Sequence, residues 1–152
     1  MKRFAYITAM LACLLTCGLF YGAGRTETSA ELKRILNQID GHRVECDYSF
    51  SINENGVPVI FSGHAILQTG YFRISGNGLE IYCDGKAIHY LDMEAKEAYV
   101  ESAVRLEDYI ASNIGNVQDL KTSNVKSTLP SDDLSVFMVP ELGSEWVITD
   151  LR

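Results

Sequence analysis

Between residues 44 and 52 the chain alternates: Val44, Cys46, Tyr48, Phe50 and Ile52 are apolar, and the residues between them are charged or small. A period of two sends successive side chains to opposite sides of an extended backbone. "HRVECDYSFSI" therefore predicts a strand with one buried face. Asn55-Gly56 turns it. "VPVIFSGHAILQ" predicts a longer second strand, with Pro58 near its start, where a missing N–H disrupts least, and Gly63 marking a bend. "YFRIS", "LEIYC", "AIHYLD" and "EAYVES" continue the pattern, separated by Asn77-Gly78, Asp84-Gly85 and the run Met93-Glu94-Ala95-Lys96. Six such strands in succession make a meander, hence an antiparallel sheet. Asp84-Gly85 predicts a two-residue type I′ loop flanked by Cys83 and Lys86.

Two segments follow the helical period. Leu32, Ile35, Leu36 and Ile39 fall at i, i+3, i+4 and i+7, one stripe that Gly41 ends. Leu106, Tyr109, Ile110 and Ile114 repeat this spacing more loosely and predict a helix or loop-helix over 105–114. "NVKSTLP" and "LSVFMVPE" read as strands, and "SEWVITDLR" as a last strand or extended tail. No repeat or low-complexity linker divides the chain. The expected fold is mainly β, of the α+β kind, with one or two helices on the apolar side of the sheet.

The amino terminus changes the compartment. Lys2 and Arg3 precede an almost uncharged run from Phe4 to Gly24, the order of a secretory signal. The run is also long enough to serve as an uncleaved membrane anchor. Thr28-Ser29-Ala30 favours cleavage, with Gly22-Ala23-Gly24 an earlier cut, so residues 1–30 read as a signal peptide cleaved between 24 and 30. Leu11-Ala12-Cys13 fits a lipoprotein signal only in part, and Cys17 follows Thr16, a poor residue before a cut. Residues 31–152 then form a single domain.

Cleavage would remove three cations (Lys2, Arg3, Arg25) and one anion (Glu27), taking the net charge from −7 to −9. Such a balance argues against nucleic acid and against electrostatic docking on anionic headgroups, so any lipid must be held through its acyl chains. Of four cysteines only Cys46 and Cys83 would remain, each on the apolar side of its strand. Export permits a Cys46–Cys83 disulfide; the other reading is two buried thiols packing as small hydrophobes. Spacing does not decide between them, since a bridge depends on Cα separation.

Candidate chemistry is sparse. His42 follows the end of the first helix, and His64 and His89 lie in strands without a nucleophile or a metal-ligand spacing around them. Asp132-Asp133 and Glu107-Asp108 are adjacent acids in polar segments, and Gly76-Asn77-Gly78 is a hairpin turn, not a phosphate loop. No GxSxG elbow, CxxC pair of the mature chain or cofactor motif is present. The sequence points to a protein that is not an enzyme and needs no cofactor.

Residues 61–100, "FSGHAILQTGYFRISGNGLEIYCDGKAIHYLDMEAKEAYV", resemble the LolA-like family of periplasmic outer-membrane lipoprotein carriers. The likeness rests on Gly63, Phe72-Arg73, Asp84-Gly85-Lys86, His89-Tyr90, the polar turn 92–97 and Ala98 to Val100, with "FMVPELGSEWVITDLR" similar to the family's ending. It implies a curved antiparallel sheet, an incompletely closed β-barrel whose concave apolar face is covered by helices and shelters acyl chains. It also implies a periplasmic location, lipidated proteins or lipids as cargo, and an inner-membrane release protein and an outer-membrane acceptor as partners. On that reading the lining would be Phe50, Ile52, Phe61, Phe72, Ile74, Leu79, Ile81, Ile88 and Tyr90, in a monomer. Thr69-Gly70 stands where longer members carry an Arg-Pro latch. The reading from another class is a cell-envelope interaction module with a closed core and no lipid cargo.

Overall fold

The computed structural model describes residues 30–54, 56–106, 108–109 and 118–152. The chain enters as a helix, α1 (Ala30–Ile39), and continues through β1 (Arg43–Glu54), β2 (Val57–Gln68), β3 (Tyr71–Gly76), β4 (Leu79–Cys83), β5 (Ala87–Asp92) and β6 (Glu97–Ser102). Two further strands follow, β7 (Gln118–Thr128) and β8 (Val147–Asp150), with a short 3-10 turn at Ser135–Phe137 between them. All eight strands join one open sheet in the order β7-β1-β2-β3-β4-β5-β6-β8. The fold is mainly β, with α1 on one face and a sheet that does not close into a barrel.

The meander β1–β6 forms as the alternation dictates, each strand antiparallel to the last. Local turn chemistry sets the registers. Asn77 and Gly78 both have positive φ (52° and 81°), as a type I′ loop requires. Asp92 Oδ1 accepts the N–H groups of Glu94 and Ala95, closing the next turn. The loop after β4 differs from expectation by one residue. Cys83 pairs with Ile88, so Asp84 faces Ala87 and the two loop residues are Gly85-Lys86. Only Gly85 is left-handed (φ 84°), whereas type I′ needs two such residues. The carboxylate of Asp84 is the reason: it accepts the N–H groups of Lys86 and Ala87 at 2.8 Å each, a side-chain turn in place of a backbone one.

Two other expectations are corrected. The sheet is mixed, because β8 runs parallel to β6. "LSVFMVPE" is not a strand: residues 129–146 leave the β7 edge, cross the sheet on the side opposite α1 and reach the β6 edge. A chain lying over a face cannot use the ladder hydrogen bonds of that sheet, so its apolar residues serve as anchors instead. Phe137 is fully buried beside Tyr71 and under the Arg43 guanidinium, and Val139, Leu142 and Trp146 pack on Tyr82, Leu91 and Ala98. Gln68 fixes the start of this strap, its amide accepting from the Ser131 N–H and donating to the Ser131 carbonyl. Arg43 donates to the Asp133 carbonyl at 2.7 Å. Of the helix expected over 105–114, Leu106, Asp108 and Tyr109 are helical; 107 and 110–117 lie outside the described residues, as do 1–29.

α1 buries Ile35 and Ile39 against β1 and β7. Burial of that size contributes roughly 1.5–3 kcal/mol per side chain, as an upper estimate. Its first turn is tied down by polar contacts, since Glu31 pairs with Arg34 at 2.8 Å and both reach the Thr122 hydroxyl on β7. Hydrogen bonds from Arg34 and then Thr122 hold the Glu31 carboxyl at about 2, below its ordinary 4.5. A depressed folded value means that this carboxylate supports the fold above its unfolded pKa and loses that support as pH falls through the folded one. Glu31→Gln should therefore lower the neutral-pH melting temperature by a few degrees and flatten the part of the acid decline between about pH 4.5 and 2, where the two curves converge. Thermal unfolding across that range is the check, and superimposable acid limbs would contradict the assignment.

Candidate functional site: an apolar face that opens toward one end

Strand alternation brings all nine expected lining residues to the α1 side of the sheet, and cross-strand pairing sorts them into rows. The row Val44–Leu67–Phe72–Cys83–Ile88 is closed, each residue 5 % exposed or less. The next, Cys46–Ala65–Ile74–Ile81–Tyr90, mixes buried positions with the half-buried Ile74 and Tyr90. Then come Tyr48, Gly63, Gly76 and Leu79, and beyond them the β1–β2 hairpin flanked by the start of β7, with Phe50 opposite Phe61 and Ile52 opposite Val59. Phe50, Phe61 and Leu79 are half-buried, and Ile52 is 36 % exposed. Burial thus falls steadily from the closed row to the hairpin.

Of the expected lining, Phe72, Ile81 and Ile88 are ordinary core beneath α1 and Tyr109. Phe50, Ile52, Phe61, Ile74, Leu79 and Tyr90 form the partly open strip. Two members escaped the sequence reading of the lining. Tyr48 stacks on Phe50 (ring centroids 5.9 Å), which stacks on Phe61 (5.4 Å), making a three-ring ladder. Tyr109 lies against Phe72 at 4.9 Å and Tyr90 at 6.4 Å, closing the strip from above. Tyr48 was legible as an inward residue of its strand; its part in the ladder follows from Gly63 opposite it. With no side chain there, the phenol crosses β2 and its O–H donates to the Ser75 carbonyl of β3 at 3.3 Å.

Carboxylates border the strip on one side only, Glu101 beside Tyr90 and Asp92 opposite Leu79. Burial pushes the phenols of Tyr48, Tyr90 and Tyr109 up, and Tyr90 also donates to Glu101, so all three are neutral at ordinary pH. Burial likewise raises the thiols of Cys46 and Cys83. Both are free. Cys46 sits on β1 and Cys83 on β4, three strand spacings apart or roughly 14 Å, beyond the Cα separation a disulfide spans. The bridge entertained from the sequence is not made.

The histidines lie elsewhere. His42 is exposed after α1, its Nδ1 near the Asp40 carbonyl. His64 bridges Asp47 (2.8 Å) and Glu45 (3.1 Å) on the opposite face, and His89 is 3.5 Å from Asp84. Among the described residues no three His, Cys, Asp or Glu side chains converge as metal ligands would, and no helix is long and apolar enough to cross a membrane. What the face can do chemically is bury apolar surface. No family model matches this chain, and no curated protein matches it.

Proposed function

We propose that this protein is a non-enzymatic binder or carrier of acyl chains, serving lipids or lipidated proteins in the cell envelope, with the strip from Tyr90 to the β1–β2 hairpin as the binding surface. The observation that carries the reading is the burial gradient: an apolar strip, bordered on its β5–β6 side by Asp92 and Glu101, closed at one end and partly bare at the other. An alkyl chain laid along the bare end gains about 0.8 kcal/mol for each CH₂ it buries. The resemblance of residues 61–100 to LolA-like carriers points the same way. The competing reading, an interaction module without lipid, would leave the same strip without affinity for alkyl chains.

Phe61→Glu separates the two. At a half-buried position water still reaches the carboxylate, so the melting temperature should fall by only a few degrees. The affinity for a fluorescent fatty acid should drop at least tenfold, because the charge lies where the alkyl chain would rest. A wild type that binds no probe, or a variant that binds it unchanged, would remove the carrier reading and leave the interaction module.

A further inference from the structure

Three stretches of strand edge have no neighbouring strand among the described residues, and two of them are guarded. The outer side of β7 is interrupted by two register shifts, by left-handed Asp119 and Asn124 (φ 56° and 52°), and by Lys121 and Lys126. Past Gly63, β2 has lost β3 as a neighbour, but Asn77 takes its place: Oδ1 accepts the Ser62 N–H and Nδ2 donates to the Ile60 carbonyl. Pro58, two residues further on, has no N–H to offer. Edges are blunted in these ways to keep other strands from adding to them.

β8 carries none of these devices. It pairs with β6 without a register shift and contains no lysine and no proline. It also exposes apolar side chains on both faces: Val147 is 62 %, Ile148 59 % and the adjoining Leu151 50 % exposed. The N–H groups of Val147 and Leu151 donate inward to β6, each at 2.9 Å. By the alternation of a strand, the N–H and C=O groups of Ile148 and Asp150 therefore point away from the sheet.

We propose that β8 is a pairing edge for β8 of a second copy of this chain, antiparallel about a two-fold axis through Thr149. Outward-facing residues must meet outward-facing ones, which allows only registers centred on a residue. Centring on Thr149 sets Ile148 of one copy against Asp150 of the other, for four backbone hydrogen bonds. It also sets Val147 against Leu151 twice, so that the exposed apolar side chains cover one another. Centring on Asp150 would oppose two carboxylates, and centring on Ile148 would set Leu151 against Glu145. Asp150 is already neutralised by Arg152, through hydrogen bonds of 2.5 to 3.2 Å, so Ile148 meets no bare charge. So short an edge lies well below the roughly 1,000 Å² of a stable interface, and the dimer is weak and reversible. The monomer expected from the sequence is then the dilute form. None of this depends on acyl-chain binding.

Sedimentation of the full chain from micromolar to millimolar concentration should show the mean mass rising toward two chains. Thr149→Lys places two cations side by side at the axis and should weaken association at least tenfold while leaving the melting temperature unchanged, since Thr149 is exposed. Thr149→Cys should give a disulfide-linked dimer on mild oxidation, because residues facing each other across the axis have Cα atoms about 4.5 Å apart. Ile148→Cys, offset from its own copy, should not. A mass that stays at one chain, association indifferent to Thr149→Lys, or equal cross-linking at 148 and 149 would each overturn the pairing.

Discussion

Gly63→Ala should unfold this protein at a urea concentration roughly 2–3 M below wild type, a loss of about 4 kcal/mol. The cause is neither backbone freedom nor a lost cavity. A Cβ built on Gly63 would fall inside the Ser75 carbonyl oxygen and 2.8 Å from the Gly76 Cα. Both obstacles are backbone, so neither can rotate away as a side chain would. Gly76 sits directly opposite, and a Cβ there would strike the Ser62 carbonyl in return. The two strands approach this closely because neither carries a side chain at the crossing, and the Tyr48 hydroxyl bridges the gap to Ser75. Relieving the clash means separating β2 from β3, which divides the sheet. Gly70→Ala is the control: Gly70 is left-handed (φ 81°) with nothing within 4 Å of an added Cβ, so it should lose only about 1 kcal/mol. Equal urea midpoints for the two variants would show that the crossing yields more easily than its geometry indicates.

Phe72→Ala should be nearly as damaging, at about 3–5 kcal/mol. Phe72 is 1 % exposed, lies between Leu67 and Cys83 in the closed row and packs 4.9 Å from the Tyr109 ring, so truncation leaves a cavity that rigid strands cannot fill. Phe61→Ala, on the same face and of the same chemistry, should lose about 1 kcal/mol or less, because its ring is already half in water and its removal leaves no closed void. Measured side by side, the pair locates the boundary between core and open strip without reference to any ligand. Similar losses would mean that the hairpin end is packed after all, and the binding strip would have no room.

The meander was legible because its information is local. Alternation in "HRVECDYSFSI" or "LEIYC" states which side chains share a face, and Asn77-Gly78 states where the chain reverses. All nine residues expected to line a pocket accordingly fell on one face. What alternation cannot express is how far that face is covered. Phe72 and Phe61 follow the same pattern, and only the placement of α1 and Tyr109 makes one core and the other half-exposed. The cysteines show the same limit: their faces followed from the sequence, but their separation required the strand order. Long-range pairings were hidden for a related reason. Of β7, "NVKST" read as a strand from the sequence, but "QDLKTS" is too polar to declare itself one until β1 lies beside it. "LSVFMVPE" has the apolar content of a strand but uses Phe137 and Val139 to grip a face, a choice that depends on where both of its ends are held.

The crossing of residues 129–146 has a consequence for the order of assembly. β2 to β6 can zip hairpin by hairpin as they emerge, each needing only its predecessor. β1 pairs with β2 at once, but its outer edge must wait for a neighbour that arrives much later, since Val44 also pairs with Ser127. The underside of β4–β6, with Tyr82, Leu91 and Ala98, stays bare until Leu142 and Trp146 have been made. Contacts so distant in sequence place folding at the slow end for a domain of this size. In the interval the nascent sheet exposes two apolar faces and a naked edge at β6, the conditions under which partly folded β proteins associate. Synthesis of the strap and β8 therefore ends the period of greatest vulnerability, because β8 covers the β6 edge.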